Sequence, residues 1–308
     1  MKKITGTFLD EITSDIPSQN WGEKEWMKEF DTMKKAGIDT VIIIRGGFRD
    51  MAVFPSEALK IKDVPDLASF FLDQAERCGM SLFFGCYDSG TLGYEWDNWK
   101  TDWEINRKFI PEIHNRYGDH PAFKGWYISP ETVKGGTEGS IEIYARFSEL
   151  MKELRDLPVL ISPGWPSYIY INDEPDERHG KFIEGWRRIF SKAPHIDICA
   201  FQDGSCCYGN DLDQTFELER YLSETRDLCR EHDIRLWHNI ETFSWKFPVK
   251  FPVQDWRRLA RRMRLADPFT EKFITFEFSH FLSPNSMYPA ARNLYQRYME
   301  NIIDNASA

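Results

Sequence analysis

The regular alternation of short apolar strands with amphipathic helices is the feature that most constrains the fold of this chain. Apolar, β-rich runs recur along the 308 residues, and each is followed by a stretch with helical periodicity. The predicted strands are Ile4–Leu9, Thr40–Arg45, Ser81–Tyr87, Phe123–Ser129, Val159–Ser162, Ile196–Phe201, Arg235–Ile240 and Phe273–Phe278. The predicted helices are Glu23–Ala36, Asp66–Cys78, Asp102–Tyr117, Gly139–Leu154, Phe182–Phe190, Gln214–Glu231, Gln254–Leu265 and Tyr288–Ile303. Strand–helix pairs in this strict order predict parallel strands joined by right-handed crossovers.

This alternation predicts an α/β protein, a single (β/α)8 TIM barrel whose loops are elaborated at the C-terminal face of the strands. A barrel of this type takes about 250 residues. No linker rich in Pro, Gly or Ser divides the chain, so one domain over residues 1–308 is expected. A doubly wound open sheet is the rival architecture. That fold usually carries a G-x-G-x-x-G turn or a P-loop after its first strand, and neither motif follows Leu9.

The charge and composition of the chain indicate which classes of binding partner are unfavourable. The 39 basic and 49 acidic residues give a formal net charge of −10, which disfavours nucleic acid because its phosphates require a basic surface. No apolar run approaches the roughly 18 residues of a membrane span. The first residues lack the apolar segment of a signal peptide, so we expect a cytoplasmic protein, although a trimmed secretion signal would leave the same sequence. None of the 6 cysteines forms a C-x-x-C pair, and we expect reduced thiols.

Two glutamates follow predicted strands at positions suited to acid–base chemistry. Glu131 follows the fourth strand and Glu241 follows the seventh. The C-terminal strand ends of a TIM barrel surround the active site, so these side chains can face each other across the barrel mouth. Hydrolysis of a glycosidic bond needs one carboxyl group to protonate the leaving oxygen and another to attack the sugar or activate water. The pattern predicts Glu131 as the general acid/base and Glu241 as the nucleophile or base.

Polar and aromatic residues gather at the other strand ends. Polar side chains at such positions are costly unless they have a partner or a function, and aromatic faces stack on sugar rings. The residues predicted to contact an oligosaccharide or glycoside substrate are Asp10, Arg45, Tyr87, Asp88, Trp126, Trp165, Gln202, Asp203, Trp237, Asn239 and Glu277. Glu277 lies within the apolar run FITFEF, where burial demands a partner, and Arg45 is the expected one.

The strand-end sequences GWYISPE, AFQDG and NIETF resemble those of the domain-of-unknown-function 4434 family, whose members are described as candidate glycoside hydrolases with a TIM-barrel fold. The resemblance extends from Thr5 to about Met299 and implies Glu131 and Glu241 as the acidic pair. A looser likeness links the chain to the large clan of retaining glycosidases with glutamates after strands four and seven. An asparagine normally precedes the strand-four acid of that clan, whereas Pro130 precedes Glu131 here, so retention and inversion both stay open.

The leading interpretation is therefore a glycoside hydrolase that acts on a neutral or weakly charged carbohydrate and needs no metal or organic cofactor. A metal-dependent sugar isomerase or lyase on the same barrel is a second interpretation, because carboxylate and imidazole groups bind divalent metals. Its candidate ligands are Asp10, Glu131, Asp203, Glu241, Glu277 and His280. A non-catalytic carbohydrate-binding barrel is the third. The sequence leaves the sugar, the linkage and the oligomeric state open.

Overall fold

A closed barrel of parallel strands forms the centre of the structure, a computed structural model that describes residues 1–13, 16–90, 99–132, 135–164, 173–204, 211–244 and 253–304. Each strand pairs with the next along the chain, and the first strand also pairs with the last, which closes the ring. The barrel strands are β1 (Ile4–Leu9), β2 (Thr40–Ile43), β3 (Ser81–Gly85), β4 (Phe123–Tyr127), β5 (Val159–Ile161), β6 (Ile198–Gln202), β7 (Arg235–Asn239) and β8 (Lys272–Thr275). The predicted α/β barrel is confirmed.

Helices connect the strands and cover the outside of the ring. They are α1 (Glu23–Ala36), α2 (Leu67–Cys78), α3 (Trp99–Tyr117), α4 (Glu138–Leu154), α5 (Pro175–Lys192), α6 (Asp211–Glu231), α7 (Trp256–Ala266) and α8 (Pro289–Tyr298), with a single helical turn at Phe278–Phe281 and a π-helical turn at Met299–Ile303. Asp66 caps α2 as the sequence predicts, because its carboxylate accepts a hydrogen bond from the Ser69 N–H at 2.9 Å. Gly37 ends α1 with a φ of 90°, a conformation that favours glycine.

Apolar side chains form two layers, one inside the barrel and one between the strands and the helices. The inner layer includes Phe8, Tyr127 and Trp237. The outer layer is larger and includes Trp126 and Trp186. Successive residues of a strand point to opposite faces, so neighbours such as Trp126 and Tyr127 belong to different layers.

Six barrel strands end earlier than the sequence predicts: β8 by three residues, β2, β3 and β4 by two, and β5 and β7 by one. β2 stops two residues before Arg45 and β3 stops two residues before Tyr87. Beyond these ends the chain forms a small three-stranded sheet from Gly47–Phe48, Met51–Ala52 and Tyr87–Asp88. A Cβ atom at Gly85 would overlap the carbonyl oxygens of Ile43, the last residue of β2, and of Ile44, so glycine permits the close approach where the chain leaves the barrel. The small sheet therefore lies at the carboxyl end of the barrel.

Two further expectations concern the cysteines and membranes. Cys78, Cys86, Cys199 and Cys229 are buried free thiols, whereas Cys206 and Cys207 lie outside the described residues. Among the helices that the structure describes, none has the length and apolar character needed to cross a membrane.

Candidate active site

Glu131 lies just beyond the end of β4 and is partly exposed. The chain around it is held in place, because the Ser129 hydroxyl donates to the Cys86 carbonyl at 3.0 Å and the Thr132 hydroxyl is 2.8 Å from the Tyr144 hydroxyl. Burial, and after it the negative charge of Glu131, raises the pKa of Tyr127 well above its usual value. Tyr127 belongs to the inner layer, so the charge of Glu131 influences a side chain inside the barrel.

Glu241 lies two residues beyond the end of β7 and is 2% exposed. Its main chain is bound on both sides of the Cα atom. The Glu241 N–H donates to Asp203 Oδ1 at 3.4 Å, and its carbonyl accepts from Arg262 Nη2 at 2.7 Å. Asp203 and Arg262 also form an ion pair with each other. We refer to Asp203, Arg262 and the Glu241 main chain as the Glu241 clamp.

The clamp is electrically balanced and buried. Asp203 is 0% exposed and Arg262 is 3% exposed, so neither group can exchange its partner for water. His238 Nε2 lies 3.8 Å from Asp203 Oδ2, but burial lowers the pKa of His238 to about 4. At neutral pH His238 is uncharged, whereas Arg262 carries the positive charge that pairs with the Asp203 carboxylate. Asp203, predicted to bind substrate, thus supports the loop that carries Glu241.

Arg45 holds a second network at the ends of β1 and β2. Its Nε donates to Asp88 Oδ2 at 2.8 Å, and Nη1 donates to the Thr13 hydroxyl at 3.1 Å. Nη1 also lies 3.8 Å from Asp10 Oδ2, and Thr13 in turn donates to Asp10. Three predicted residues, Asp10, Arg45 and Asp88, are therefore brought together. All three are buried, and their polar atoms are largely engaged with one another.

Glu277 contacts His280 and not Arg45, so the expected partner was wrong. Glu277 Oε1 accepts hydrogen bonds from the His280 N–H at 2.9 Å and from the His280 ring Nδ1. The other ring nitrogen, Nε2, is 2.8 Å from the Pro17 carbonyl. Two acceptors require two N–H donors, which only the protonated imidazole has. Burial lowers the pKa of His280, but the charge of Glu277 and the bonds to it outweigh burial and raise that pKa to about 9.

Glu11 is a site residue that the sequence interpretation passed over in favour of its neighbour Asp10. Burial, and after it the negative charge of Glu277, raises the pKa of Glu11 to about 7. Its Oε2 accepts a hydrogen bond from the Ser18 hydroxyl at 3.4 Å. A carboxyl group with this pKa can hold or release a proton near neutral pH. We refer to Asp10, Glu11, Glu277 and His280 as the Glu277 cluster.

Two other predicted residues brace strand ends. The Asn239 amide donates to the Ser162 hydroxyl at 3.0 Å and accepts from the Phe276 N–H at 3.0 Å, which joins the loops after β5, β7 and β8. The Gln202 amide donates to the Ser162 carbonyl at 3.2 Å. These bonds fix the relative positions of the strand ends. Only Gln202 of the two has an appreciable exposed surface.

The predicted aromatic residues lie mostly in the core. Trp126 is 0% exposed in the outer layer, and its indole N–H donates to the Arg155 carbonyl, so it is a core residue and not a sugar-binding one. Trp237 fills the barrel interior, with the Lys272 ammonium 4.9 Å from its ring centre, which places it toward the amino ends of the strands. The Tyr87 hydroxyl donates to the Arg49 carbonyl within the small sheet. Trp165 lies outside the described residues.

The same end of the barrel thus carries Glu131, Glu241 and the Glu277 cluster. Two strands, β5 and β6, separate β4 from β7 in the ring, so Glu131 and Glu241 enter from well-separated parts of the rim. Among the described residues, no group of three or more His, Cys, Asp or Glu side chains is arranged to hold a metal ion. The arrangement supplies carboxyl groups in contrasting environments, which is the chemical requirement for pairing an acid with a base.

Comparison with known proteins identifies relatives of the whole barrel. Residues 4–288 match the family described as domain of unknown function DUF4434. No curated protein matches the sequence. A solved structure from Bacteroides thetaiotaomicron VPI-5482, named a "putative alpha-L-fucosidase", is 38% identical, with a TM-score of 0.86. The alignment covers 97% of this chain and 92% of that one.

More distant solved structures share the fold alone. An endo-1,4-beta-D-mannanase from Thermotoga petrophila RKU-1 is 11% identical with a TM-score of 0.58, over 89% of this chain and 88% of that one. An endo-1,4-beta-mannanase from Rhizomucor miehei is 13% identical with a TM-score of 0.58, over 96% of this chain and 95% of that one. Both align over nearly the full barrel, so the likeness concerns the complete closed ring of strands and helices.

Proposed function

The chain belongs to the DUF4434 family, and we propose that it is a glycoside hydrolase that uses Glu131 and Glu241 as its catalytic carboxyl groups. The observation that supports this most directly is that both residues follow parallel strands, β4 and β7, at one end of the closed barrel. TIM-barrel enzymes carry their active sites at this end. Hydrolysis of a glycosidic bond requires two carboxyl groups that approach the bond from different sides.

The surroundings of the two residues support different roles. Glu131 is partly exposed and can exchange protons with solvent between steps, as a general acid/base must. Glu241 is almost fully buried and its main chain is bound at both N–H and carbonyl. Such restraint suits a nucleophile, or a base that holds water, because the reacting atom must stay within a few tenths of an ångström of its line of attack. We therefore assign proton transfer to Glu131 and attack to Glu241.

The substrate class is proposed from the solved structure that is 38% identical to this chain. The Bacteroides protein, 38% identical, is named a "putative alpha-L-fucosidase", so α-L-fucosides are the first substrates to test. The mannanases share too little sequence to transfer their specificity, and β-mannosides enter the panel as a comparison only. The partly exposed Glu131 and Gln202 at the strand ends offer polar atoms suited to neutral sugar hydroxyls.

The test is hydrolysis by Glu131→Gln and Glu241→Gln of two substrates with the same sugar, one with an activated aryl leaving group and one with an unactivated alcohol. We expect Glu131→Gln to lose roughly 100- to 10,000-fold on the unactivated substrate and about tenfold or less on the aryl glycoside, whose leaving group needs little protonation. Glu241→Gln should lose roughly a thousandfold or more on both, because the attacking carboxylate is gone.

The matched control is Glu271→Gln. Glu271 is an exposed carboxylate directly before β8, at the opposite end of the barrel, and its replacement should leave both rates unchanged. Selective loss on the unactivated substrate in Glu241→Gln, with equal loss in Glu131→Gln, would reverse the two roles. Full activity in both variants would reject the pair. Binding of sugars without turnover by the unaltered protein would favour a non-catalytic carbohydrate-binding barrel.

A further inference from the structure

The loop that carries Glu241 is held by α7, the next helix of the chain, whose Arg262 lies 21 residues after Glu241. Arg262 lies in α7, after the loop has left the barrel, and its side chain returns to the carboxyl ends of β6 and β7. There it meets Asp203, which follows β6. Both side chains are buried, so this contact belongs to the permanent framework of the barrel.

The hydrogen bonds form a closed ring around a single Cα atom. Arg262 Nη1 contacts Asp203 Oδ2, while Asp203 Oδ1 accepts from the Glu241 N–H at 3.4 Å. Arg262 Nη2 completes the ring by donating to the Glu241 carbonyl at 2.7 Å. The N–H direction depends on φ and the carbonyl direction depends on ψ. A ring that holds both therefore fixes the direction in which the Glu241 side chain leaves the backbone.

An arginine is suited to this position for two reasons. Its planar fork presents two N–H groups at once, one for the Asp203 carboxylate and one for the Glu241 carbonyl. Its charge is also permanent, whereas the nearby His238 is uncharged at neutral pH and cannot compensate Asp203. A lysine in its place would keep the charge but could not hold both acceptors in the same geometry.

We propose that Arg262, acting together with Asp203, is the positioning residue that aims Glu241 at the substrate. This inference rests on the proposed function, because it gives Glu241 a reacting partner. Arg262 touches no substrate. It acts through the main chain of Glu241. Its removal leaves the Glu241 carboxyl group in the protein but no longer fixes the direction in which that group points. Misplacement of a reacting group by about 1 Å costs on the order of a hundredfold in rate.

The experiment compares Arg262→Met, Arg262→Lys and the matched control Arg178→Met. Arg178 in α5 is also a buried arginine, 8% exposed, with its Nη2 3.3 Å from Glu217, and none of its contacts within the described residues involves the Glu241 loop. We expect kcat to fall roughly a hundredfold in Arg262→Met, with a much smaller change in KM, and by an intermediate factor in Arg262→Lys. Arg178→Met should keep kcat within about twofold of the original value.

A second readout does not depend on turnover. Hydrogen exchange of the segment 240–244, followed by mass spectrometry, reports whether the Glu241 N–H stays bonded. Arg262→Met should raise exchange in this segment at least tenfold, Arg262→Lys less, and Arg178→Met not at all. If Arg262→Met does not fold, the same comparison is made with Arg262→Lys.

The outcomes separate the two proposals. If the unaltered protein cleaves no glycoside, the proposed function fails, and exchange alone decides whether Arg262 holds Glu241. Unchanged exchange at 240–244 in the Arg262 variants overturns the positioning role, as does a kcat within twofold of the original. Equal exchange in Arg262→Met and Arg178→Met also overturns it, because the effect would then be general loss of stability.

Discussion

The Glu241 clamp and the Glu277 cluster are two groups of buried charges at the same end of the barrel. They differ in how their buried charges are compensated. In the Glu241 clamp, the Asp203 carboxylate forms an ion pair with the Arg262 guanidinium, and both side chains are buried. In the Glu277 cluster, three carboxyl groups surround one histidine. The clamp joins two opposite charges directly, whereas in the cluster the pKa of Glu11 is raised to about 7 and the pKa of His280 to about 9.

Because of this difference, the clamp and the cluster respond differently to the loss of a charged partner. Loss of the aspartate from an aspartate–arginine pair costs several kcal/mol, because the buried guanidinium that is left cannot become neutral. A titratable partner can release or bind a proton instead, so the same loss is less severe. The clamp is therefore suited to holding a group still, and the cluster to changing its charge with pH.

The largest expected effect comes from breaking the clamp. Asp203→Ala leaves the buried Arg262 without its counter-ion, and we expect the free energy of unfolding to fall by about 3–5 kcal/mol. Urea denaturation at pH 7 measures this loss. Asp203→Asn, which keeps an acceptor for the Glu241 N–H, should lose less. A cost below about 1 kcal/mol for Asp203→Ala would show that water reaches the clamp.

The next effect is a decline in stability at alkaline pH. The folded-state pKa of His280 is raised to about 9 from an unfolded value of 6.5, so its contribution is complete below pH 6.5 and is lost as the pH rises through 9. We expect the free energy of unfolding to fall by about 2–3 kcal/mol between pH 7 and pH 9. His280→Gln should remove most of this slope. An equally steep decline in that variant would assign it to other groups.

A smaller effect, of opposite sign, is expected from Glu11→Gln. The pKa of Glu11 is raised from 4.5 to about 7, so its ionisation destabilises the fold as the pH rises through this range. The glutamine cannot ionise. After discounting for partial exposure, we expect Glu11→Gln to gain about 1–2 kcal/mol at pH 8 relative to its effect at pH 5.

Glu23→Gln, at an exposed position in the first turn of α1, is the matched control for Glu11→Gln. Its effect on the free energy of unfolding should be the same at both pH values. A Glu11→Gln effect that is also independent of pH would mean that Glu11 ionises freely in the folded protein.

The smallest effect is expected from Ser18→Ala. The Ser18 hydroxyl donates to Glu11 Oε2 at 3.4 Å and lowers the pKa of Glu11 slightly. Its loss should raise that pKa and change the free energy of unfolding at pH 8 by less than about 0.5 kcal/mol. Carbon-detected NMR titration of the Glu11 carboxyl group measures the shift directly. A fall in the pKa would exclude Ser18 as a donor to the ionised form.

The sequence was a good guide to the barrel and to the polar residues at or just beyond its strand ends. The apolar runs and helical periodicity predicted all eight barrel strands and their order. Topology then required Glu131 and Glu241 to emerge at the same end, because parallel strands all finish there. The sequence was a poorer guide to the direction in which individual aromatic side chains point. Strands of a parallel barrel are buried on both faces, so the apolar pattern did not show that Trp126 faces the helices.

What the sequence by itself determined was local: the repeating elements, the cap at Asp66 and the residues at each strand end. Only the tertiary structure decided which charges meet. Arg262 lies 59 residues from Asp203 in the chain, and Glu277 pairs with His280 three residues away and not with Arg45. The periodicity of apolar residues indicates which side chains are buried, because burial depends on the face of the helix or strand on which a residue lies. The partner depends on strand register and side-chain reach, which exist only once the barrel has closed.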